Sequence, residues 1–103
     1  MSFWDFKTLK WDEFRPGIWS KIESGTNLTM AFMEIAPNKE GVAHDHPFDQ
    51  CGIVIEGEIE MSVGNEKKLL RPKETYFIPA GTKHNWKTTG LSAKILDFVG
   101  KQG

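Results

Sequence analysis

The chain alternates short apolar stretches with clusters of turn-forming residues, and this pattern predicts a structure made of β-strands. Residues 28–36 are apolar on both faces, which is typical of a central strand, and Ile53-Val54-Ile55 is strongly β-forming. From Glu58 to Val63 charged and apolar residues alternate, which places one face against a core. Glycine and proline recur between these segments, and no stretch has a convincing helical period. We therefore predict about eight or nine short strands in a β-sandwich or barrel.

The length and charge of the chain narrow the possible functions. With 103 residues it is expected to form one domain, residues 1–103, around a single modest core. The net charge is −1 and basic residues do not cluster, which argues against binding to nucleic acid or to a membrane surface. No apolar run approaches the ~20 residues of a membrane span, and the charged N-terminus does not resemble a signal peptide. The one cysteine, Cys51, excludes an internal disulfide, and these features together favour a cytoplasmic protein.

Residues 1–17 form an arm rich in aromatic side chains, whose spacing fits neither a regular helix nor a regular strand. Such a segment either packs on the outside of the domain as a satellite core or contacts a second subunit. The sequence does not decide between these two alternatives. A turn at Pro16-Gly17 is expected to end the arm.

The candidate chemistry is concentrated in residues 44–50, His-Asp-His-Pro-Phe-Asp-Gln, which include two of the three histidines. If this segment is an extended strand, His44 and His46 project to the same side, ~6.5–7 Å apart, and both can bind one cation. The proline and aspartate that follow favour a chain reversal, after which Gln50 would open the next strand with its amide oxygen beside the histidines. Taken alone, the pattern also fits an ordinary hydrogen-bonded histidine on a half-buried strand.

The third histidine, His84, lies in a second recognisable context. It follows the turn Pro79-Ala80-Gly81 and begins a predicted strand. Such a turn can carry His84 over the mouth of a barrel, toward His44 and His46. Trp86 is two residues further on and should share the inward face of His84, where it either walls the site or fills the core.

These two contexts resemble the paired motifs of the cupin family. The first motif is matched in spacing, with glutamine in the place of the usual glutamate, by His44, His46, Gln50 and Gly57. The second motif is matched by Pro79, Gly81 and His84. Asn38 and Lys73 stand where the motifs have a leading glycine, and Thr88 stands where the second motif has an asparagine. The resemblance covers residues 28–99 as the barrel core, and it implies the all-β fold of that family, a double-stranded β-helix or jelly-roll barrel.

One branch of the family is closer, namely the small cupins that linearise unsaturated uronates from pectin and alginate breakdown. Those proteins also carry His-x-His-Pro-x-x-Gln, and they have an aspartate on the last strand that Asp97 matches. After that aspartate they continue with a tail that contains proline and arginine. Residues 100–103 contain neither, which argues against that specific substrate.

The predicted ligands determine what a bound metal ion could do. Three imidazoles, from His44, His46 and His84, and the Gln50 amide oxygen are neutral donors, so a divalent ion would keep its full charge and act as a strong Lewis acid. Such donors suit Ni, Zn, Fe, Mn or Cu and do not choose between them.

Asp97 and two aromatic residues complete the predicted site. If Asp97 points inward, it is the candidate general base, and a nearby cation should lower its pKa. In the alternative, Asp97 faces outward and pairs with Lys94 or another lysine. Phe48 and Trp86 are the residues predicted to line the substrate pocket.

We therefore expect a metal-binding cupin that acts as an enzyme and uses a divalent metal ion as a Lewis acid on a small carbonyl or sugar-acid substrate. The alternatives are a metal-dependent dioxygenase with the same ligands and a non-catalytic sensor that binds a small molecule. Because resembling proteins usually pair through sheet edges or N-terminal arms, a homodimer is also expected.

Overall fold

Nine strands make up the computed structural model, which describes residues 3–101. The first two residues of the predicted arm and the last two of the chain therefore lie outside the described residues. The strands are β1 (Asp12–Arg15), β2 (Ile18–Ser24), β3 (Leu28–Ile35), β4 (Gln50–Gly57), β5 (Ile59–Val63), β6 (Glu66–Leu70), β7 (Thr75–Ile78), β8 (His84–Lys87) and β9 (Ala93–Gly100). Residues 3–101 contain no helix, so this part of the chain has no helical segment able to cross a membrane. The all-β prediction is confirmed.

All the strands pair antiparallel and form two sheets. The larger sheet has the order β1-β2-β3-β9-β4-β7, and the smaller sheet has the order β6-β5-β8. As its two apolar faces predicted, β3 is a central strand, because it pairs with β2 on one side and β9 on the other. The last strand, β9, is inserted between β3 and β4. This connectivity agrees with the predicted jelly-roll barrel.

The core lies between the two sheets and is built from alternate positions of their strands. Ile35, Val54 and Ile95 contribute from the larger sheet, and Ile59 and Met61 from the smaller one, each at most 5% exposed. Burying a side chain of this size stabilises a fold by about 1.5–3 kcal/mol. These residues therefore hold the two sheets against each other.

The N-terminal arm covers the outer face of the larger sheet. Phe32 is 1% exposed because Phe6 and Trp11 pack on it, with ring centroids 4.3 and 4.8 Å away. The described part of the arm therefore forms the satellite core, one of the two alternatives for residues 1–17. The prediction that the arm lacks a regular strand is wrong at Asp12–Arg15, which forms β1. Pairing with β2 supplies the hydrogen bonds of β1, and a local pattern does not reveal such pairing.

Three departures from the cupin motifs are accommodated in the turns. Asn38 and Lys73, which replace the leading glycines, have φ angles of 59° and 74°. This left-handed region favours glycine, and asparagine tolerates it better than lysine does. Thr88, which replaces the asparagine, accepts a hydrogen bond from the Lys39 amide at 2.9 Å and donates one to the Ala36 carbonyl at 2.6 Å. The turns thus keep a backbone conformation that a glycine would favour.

Gly57 is the motif glycine that ends β4. Its φ angle is 74°, and a Cβ atom at this position would lie 1.8 Å from the Ser92 carbonyl oxygen. Glycine is therefore required here both by backbone conformation and by the close approach of the neighbouring strand.

We expect Gly57→Ala to lower the free energy of unfolding by about 3 kcal/mol or more, because it combines backbone strain with a steric clash. Chemical denaturation measures this change. Gly90→Ala is the matched control, since a Cβ at Gly90 meets no atom within 4 Å. The control should change the free energy of unfolding by less than about 0.5 kcal/mol. Equal destabilisation by both variants would contradict the role given to Gly57.

Candidate metal centre

The three histidines meet where the segment before β4 approaches the start of β8. His44 and His84 form an antiparallel bridge, in which the His44 N–H donates to the His84 carbonyl at 3.1 Å and the His84 N–H donates to the His44 carbonyl at 2.9 Å. The ring centroids of His44 and His46 are 5.7 Å apart, and the His84 ring lies 4.4 and 4.9 Å from the two. The structure thus brings together the three imidazoles that the sequence analysis singled out.

The segment that carries His44 and His46 is not the continuous extended strand that the sequence analysis considered. Only His44 has a β-bridge, and the chain bends at Pro47-Phe48 before Gln50 opens β4. Proline has no N–H for a β-ladder, which explains why pairing stops here. The neighbouring turn holds this bend, since the Gly81 N–H donates to the His46 carbonyl at 2.8 Å. The structure thus shows a change of direction after His46, and a full reversal stays a prediction.

Each imidazole is oriented by a hydrogen bond between Nδ1 and a backbone carbonyl two residues away. These hydrogen bonds are 2.7–2.9 Å long and join His44 to Val42, His46 to Phe48 and His84 to Thr82. Because a carbonyl only accepts, Nδ1 carries the proton and Nε2 is the nitrogen available to bind a cation. One ligand nitrogen from each histidine lies within 4.8 Å of the others. Two ligands bonded to one ion at ~2.1 Å are at most ~4.2 Å apart, so a small contraction would complete the site.

The three imidazoles differ in their access to water. His84 is 5% exposed, whereas His46 is half-buried and His44 is exposed. Burial lowers the pKa of His84, which favours the neutral form that a metal ligand requires. A cation held by these residues would have protein on the side of His84 and solvent on the side of His44.

Gln50, the predicted fourth ligand, lies beside His46. Its Oε1 atom is 2.9 Å from His46 Nε2, which matches the ~3 Å between two adjacent ligands bonded to one ion at ~2.1 Å. Both ring nitrogens of His46 thus face oxygen acceptors, although a neutral imidazole has only one N–H. A second proton or a shared cation resolves this mismatch, and the other two imidazoles at the same point favour the cation. The donor set therefore fits a divalent metal ion.

Asp97 faces the interior next to Gln50. It is 8% exposed, and Gln50 Nε2 donates to both of its carboxylate oxygens at 3.0 Å. The alternative of an outward Asp97 paired with Lys94 is wrong, because Lys94 pairs with Glu56 at 3.3 Å on the other face of the sheet. Burial raises the pKa of Asp97, since removal from water outweighs its hydrogen bonds. The lowering expected beside a bound cation stays a prediction.

Tyr76 is a candidate that the sequence analysis missed. Its hydroxyl donates to Asp97 Oδ1, and burial together with the neighbouring carboxylate raises the pKa of the phenol well above its usual value. The hydroxyl therefore stays protonated and remains a donor. The sequence held one signal that Tyr76 makes a buried contact, since it shares a face of β7 with Ile78, which is buried. A buried tyrosine hydroxyl usually has a hydrogen-bond partner. The partner itself was hidden, since β4 separates β7 from β9 in the sheet.

The two predicted pocket residues have different surroundings. The Phe48 ring is half-buried and lies 5.8 Å from the His46 ring. Trp86 packs against the buried core, and the Arg15 guanidinium carbon lies 5.8 Å from its ring centroid. Trp86 thus fills part of the core, which was one of its two predicted alternatives. A role for Phe48 or Trp86 in binding substrate stays a prediction.

Comparison of the sequence with protein families identifies the class of protein that this fold and site define. The family described as cupin domain matches residues 31–99, so the chain belongs to the cupin family. A search of curated protein sequences found no match.

Several solved structures share the fold over nearly the whole chain. KdgF from Halomonas sp. is 26% identical, with 100% of this chain and 96% of that chain covered and a TM-score of 0.88. An RmlC-like cupin from Shewanella frigidimarina is 18% identical, with 99% and 92% covered and a TM-score of 0.88. The TT1209 protein from Thermus thermophilus is 23% identical, with 100% of both chains covered and a TM-score of 0.85. The predicted resemblance to small cupins is confirmed.

We expect the protein to bind one divalent ion per chain. Loss of a residue that only supports a metal ligand typically lowers metal affinity by roughly 10–100-fold. His44→Ala removes a predicted ligand itself and should therefore lower the affinity further. Isothermal titration calorimetry with Zn²⁺ and Ni²⁺ measures the affinity. Because His44 is exposed, the melting temperature of the metal-free protein should not change. Glu66→Gln, at an exposed position of β6, is the control and should bind as the parent does. Unchanged affinity in His44→Ala would exclude the three-histidine site.

Proposed function

We propose that this cupin is a metal-dependent enzyme that acts on a small carbonyl or sugar-acid substrate. The observation that carries the proposal is the convergence of three imidazole nitrogens with the Gln50 amide oxygen, all of them neutral donors. A divalent ion bound by such donors retains its charge and supplies a Lewis acid that polarises a carbonyl oxygen. Ni, Zn, Fe, Mn and Cu all suit these donors.

Substrate would approach from the side of His44. The exposed His44 and the buried His84 leave one side of the site open to solvent and close the other. Phe48, beside His46, offers an apolar surface against which the carbon skeleton of a small substrate could pack. A ligand that enters here would meet the imidazoles before it meets the buried carboxylate of Asp97.

Asp97 is the proton-transfer group in this proposal. Its Oδ1 atom accepts the hydrogen bond from Tyr76, so Oδ2, which Gln50 Nε2 contacts, is the oxygen available for a proton. Oδ2 would take a proton from the carbon next to the polarised carbonyl and return it to a neighbouring atom of the same molecule. The product is an isomer of the substrate, so the step needs no oxidant, reductant or second reactant.

The sugar-acid class rests on the resemblance to the uronate-linearising branch. That branch shares the His-x-His-Pro-x-x-Gln pattern and an aspartate in the place of Asp97. Its arginine-containing tail has no counterpart in residues 100–103, and Lys101 is engaged by Ser24 and the Gly25 carbonyl at 2.8 Å. Residues 100–103 therefore offer no arginine to a substrate carboxylate.

We expect Asp97→Asn to reduce turnover of an active substrate by about 100-fold or more, because an amide cannot accept the transferred proton. Turnover is compared at saturating metal concentration, because Asp97 also contacts the amide of Gln50, a predicted metal ligand. Unsaturated uronates from pectin and alginate are the first substrates to test, with loss of their ultraviolet absorbance as the measurement. Lys94→Gln, on the outer face of the same strand, is the control and should keep full turnover.

Three results would redirect this proposal. Full turnover by Asp97→Asn would remove the proton-transfer role of Asp97. Metal-dependent oxygen uptake would point to a dioxygenase with the same ligands. Tight binding of a sugar acid that is never converted would point to a sensor.

We also propose a homodimer that forms through the edge of the larger sheet. Among the described strands β7 pairs only with β4, so its other edge has backbone groups available for pairing. The outer face of the sheet beside this edge is apolar. Phe77 of β7 is 61% exposed and lies opposite Cys51 of β4, and Cys51 lies opposite Phe98 of β9. Two copies related by a twofold axis could pair β7 with β7, which would bring the exposed Phe77 rings of the two edges side by side.

Phe77→Glu should convert such a dimer into a monomer, because it places a charge in the centre of the apolar contact. Sedimentation velocity at micromolar concentration measures the change in mass. Leu91→Glu is the control, since Leu91 is similarly exposed at 55% but lies in a turn outside this face. A parent protein that sediments as a monomer would rule out the dimer.

A further inference from the structure

We propose that Asp97 and Tyr76 act as positioning residues that turn the Gln50 amide oxygen toward the metal. This inference rests on the proposed metal site and gives Asp97 a second task beside proton transfer. It concerns one hydrogen-bonded chain, which runs from His46 through Gln50 and Asp97 to Tyr76.

The two ends of the Gln50 amide face different partners. Nε2 donates to Asp97 Oδ1 and Oδ2 at 3.0 Å, and Oε1 lies 2.9 Å from His46 Nε2. A carboxylate only accepts hydrogen bonds, so the NH₂ group has to face Asp97 and the oxygen has to face the histidines. The reverse orientation would set Oε1 against the carboxylate and leave an N–H at the metal position. Asp97 therefore selects the one orientation in which Gln50 is a ligand.

Tyr76 holds the carboxylate by reaching across the intervening strand. Gly52 of β4 is paired in register with Tyr76 of β7 on one side and with Asp97 of β9 on the other. A Cβ at Gly52 would lie 2.3 Å from the Tyr76 hydroxyl oxygen, so the phenol occupies the space that a side chain would need. The missing side chain of Gly52 is thus what allows the hydroxyl to meet Asp97 Oδ1.

The hydrogen-bonded series from His46 to Tyr76 also explains why glutamine replaces the motif glutamate in this protein. A glutamate at position 50 would bring a second carboxylate to the 3.0 Å contact with buried Asp97. Like charges at such a distance are strongly unfavourable when buried. Gln50 with Asp97 carries the same total charge as a glutamate with an asparagine, but the negative charge is displaced from the ion by one amide group. Gln50 and Asp97 are therefore a matched pair, and neither should be exchangeable alone.

The pairing of Gln50 with Asp97 is tested by exchanging the amide and the carboxylate between the two positions. In metal-free protein, Gln50→Glu should lower the melting temperature by about 5 °C or more, because it creates the carboxylate pair. The double variant Gln50→Glu/Asp97→Asn should recover to within about 2 °C of the parent, since an amide again faces a carboxylate. Differential scanning calorimetry in the presence of a chelator gives both values. A double variant that is no more stable than Gln50→Glu would overturn the proposal.

A milder variant tests the positioning through metal affinity. Tyr76→Phe keeps the ring and removes only the hydroxyl, so the protein should fold, but Zn²⁺ affinity should fall by about 10-fold or more because the support of the ligand is weakened. Tyr76→Phe and the parent protein are titrated under the same conditions. Calorimetric titration with Zn²⁺ measures both affinities.

The outcomes separate this inference from the proposed function. A parent protein that binds neither Zn²⁺ nor Ni²⁺ would overturn both. A parent that binds Zn²⁺, with Tyr76→Phe binding equally well, would overturn only the positioning role. Weakened binding in Tyr76→Phe together with rescue in the double variant would support it.

Discussion

The candidate metal centre depends on a pair of backbone hydrogen bonds between His44 and His84. His44 lies in the segment that leads into the larger sheet, and His84 is the first residue of β8 in the smaller sheet. The same segment is attached by the Gly41 N–H to the Trp86 carbonyl at 2.9 Å and by the Gly81 N–H to the His46 carbonyl at 2.8 Å. Backbone pairing therefore sets the positions of the imidazoles before any metal binds. A site built in this way is preorganised, so little ordering has to accompany binding.

The electrostatics of the site combine neutral ligands with one buried carboxylate. An isolated carboxylate out of water is costly, and among the described residues no lysine or arginine forms an ion pair with Asp97. Hydrogen bonds from Tyr76 and Gln50 offset part of that cost, yet the pKa of Asp97 is still raised by burial. A bound divalent ion one amide away would supply the missing positive charge. The carboxylate and the cation would thus stabilise each other.

The sequence predicted the fold well because a half-buried strand imposes a period of two on its side chains, as in the stretch from Glu58 to Val63. It also predicted which histidines would meet, because the spacing of His44, His46 and His84 matched known motifs. It did not predict β1, since pairing with β2 rather than local propensity makes that strand. Tyr76 was missed for a related reason. Its contact with Asp97 crosses a strand and requires a register that no local pattern contains.

The departures from the cupin motifs fall into two physical classes. Asn38 and Lys73 stand where the motifs have glycine and have positive φ angles, so each costs backbone strain. Gln50 is different, because it changes the charge of a predicted ligand and contacts Asp97 directly. A change of the first class affects stability, and a change of the second class affects chemistry. In this protein, the contact between Gln50 and Asp97 is therefore more informative about the proposed reaction than the number of motif positions that match.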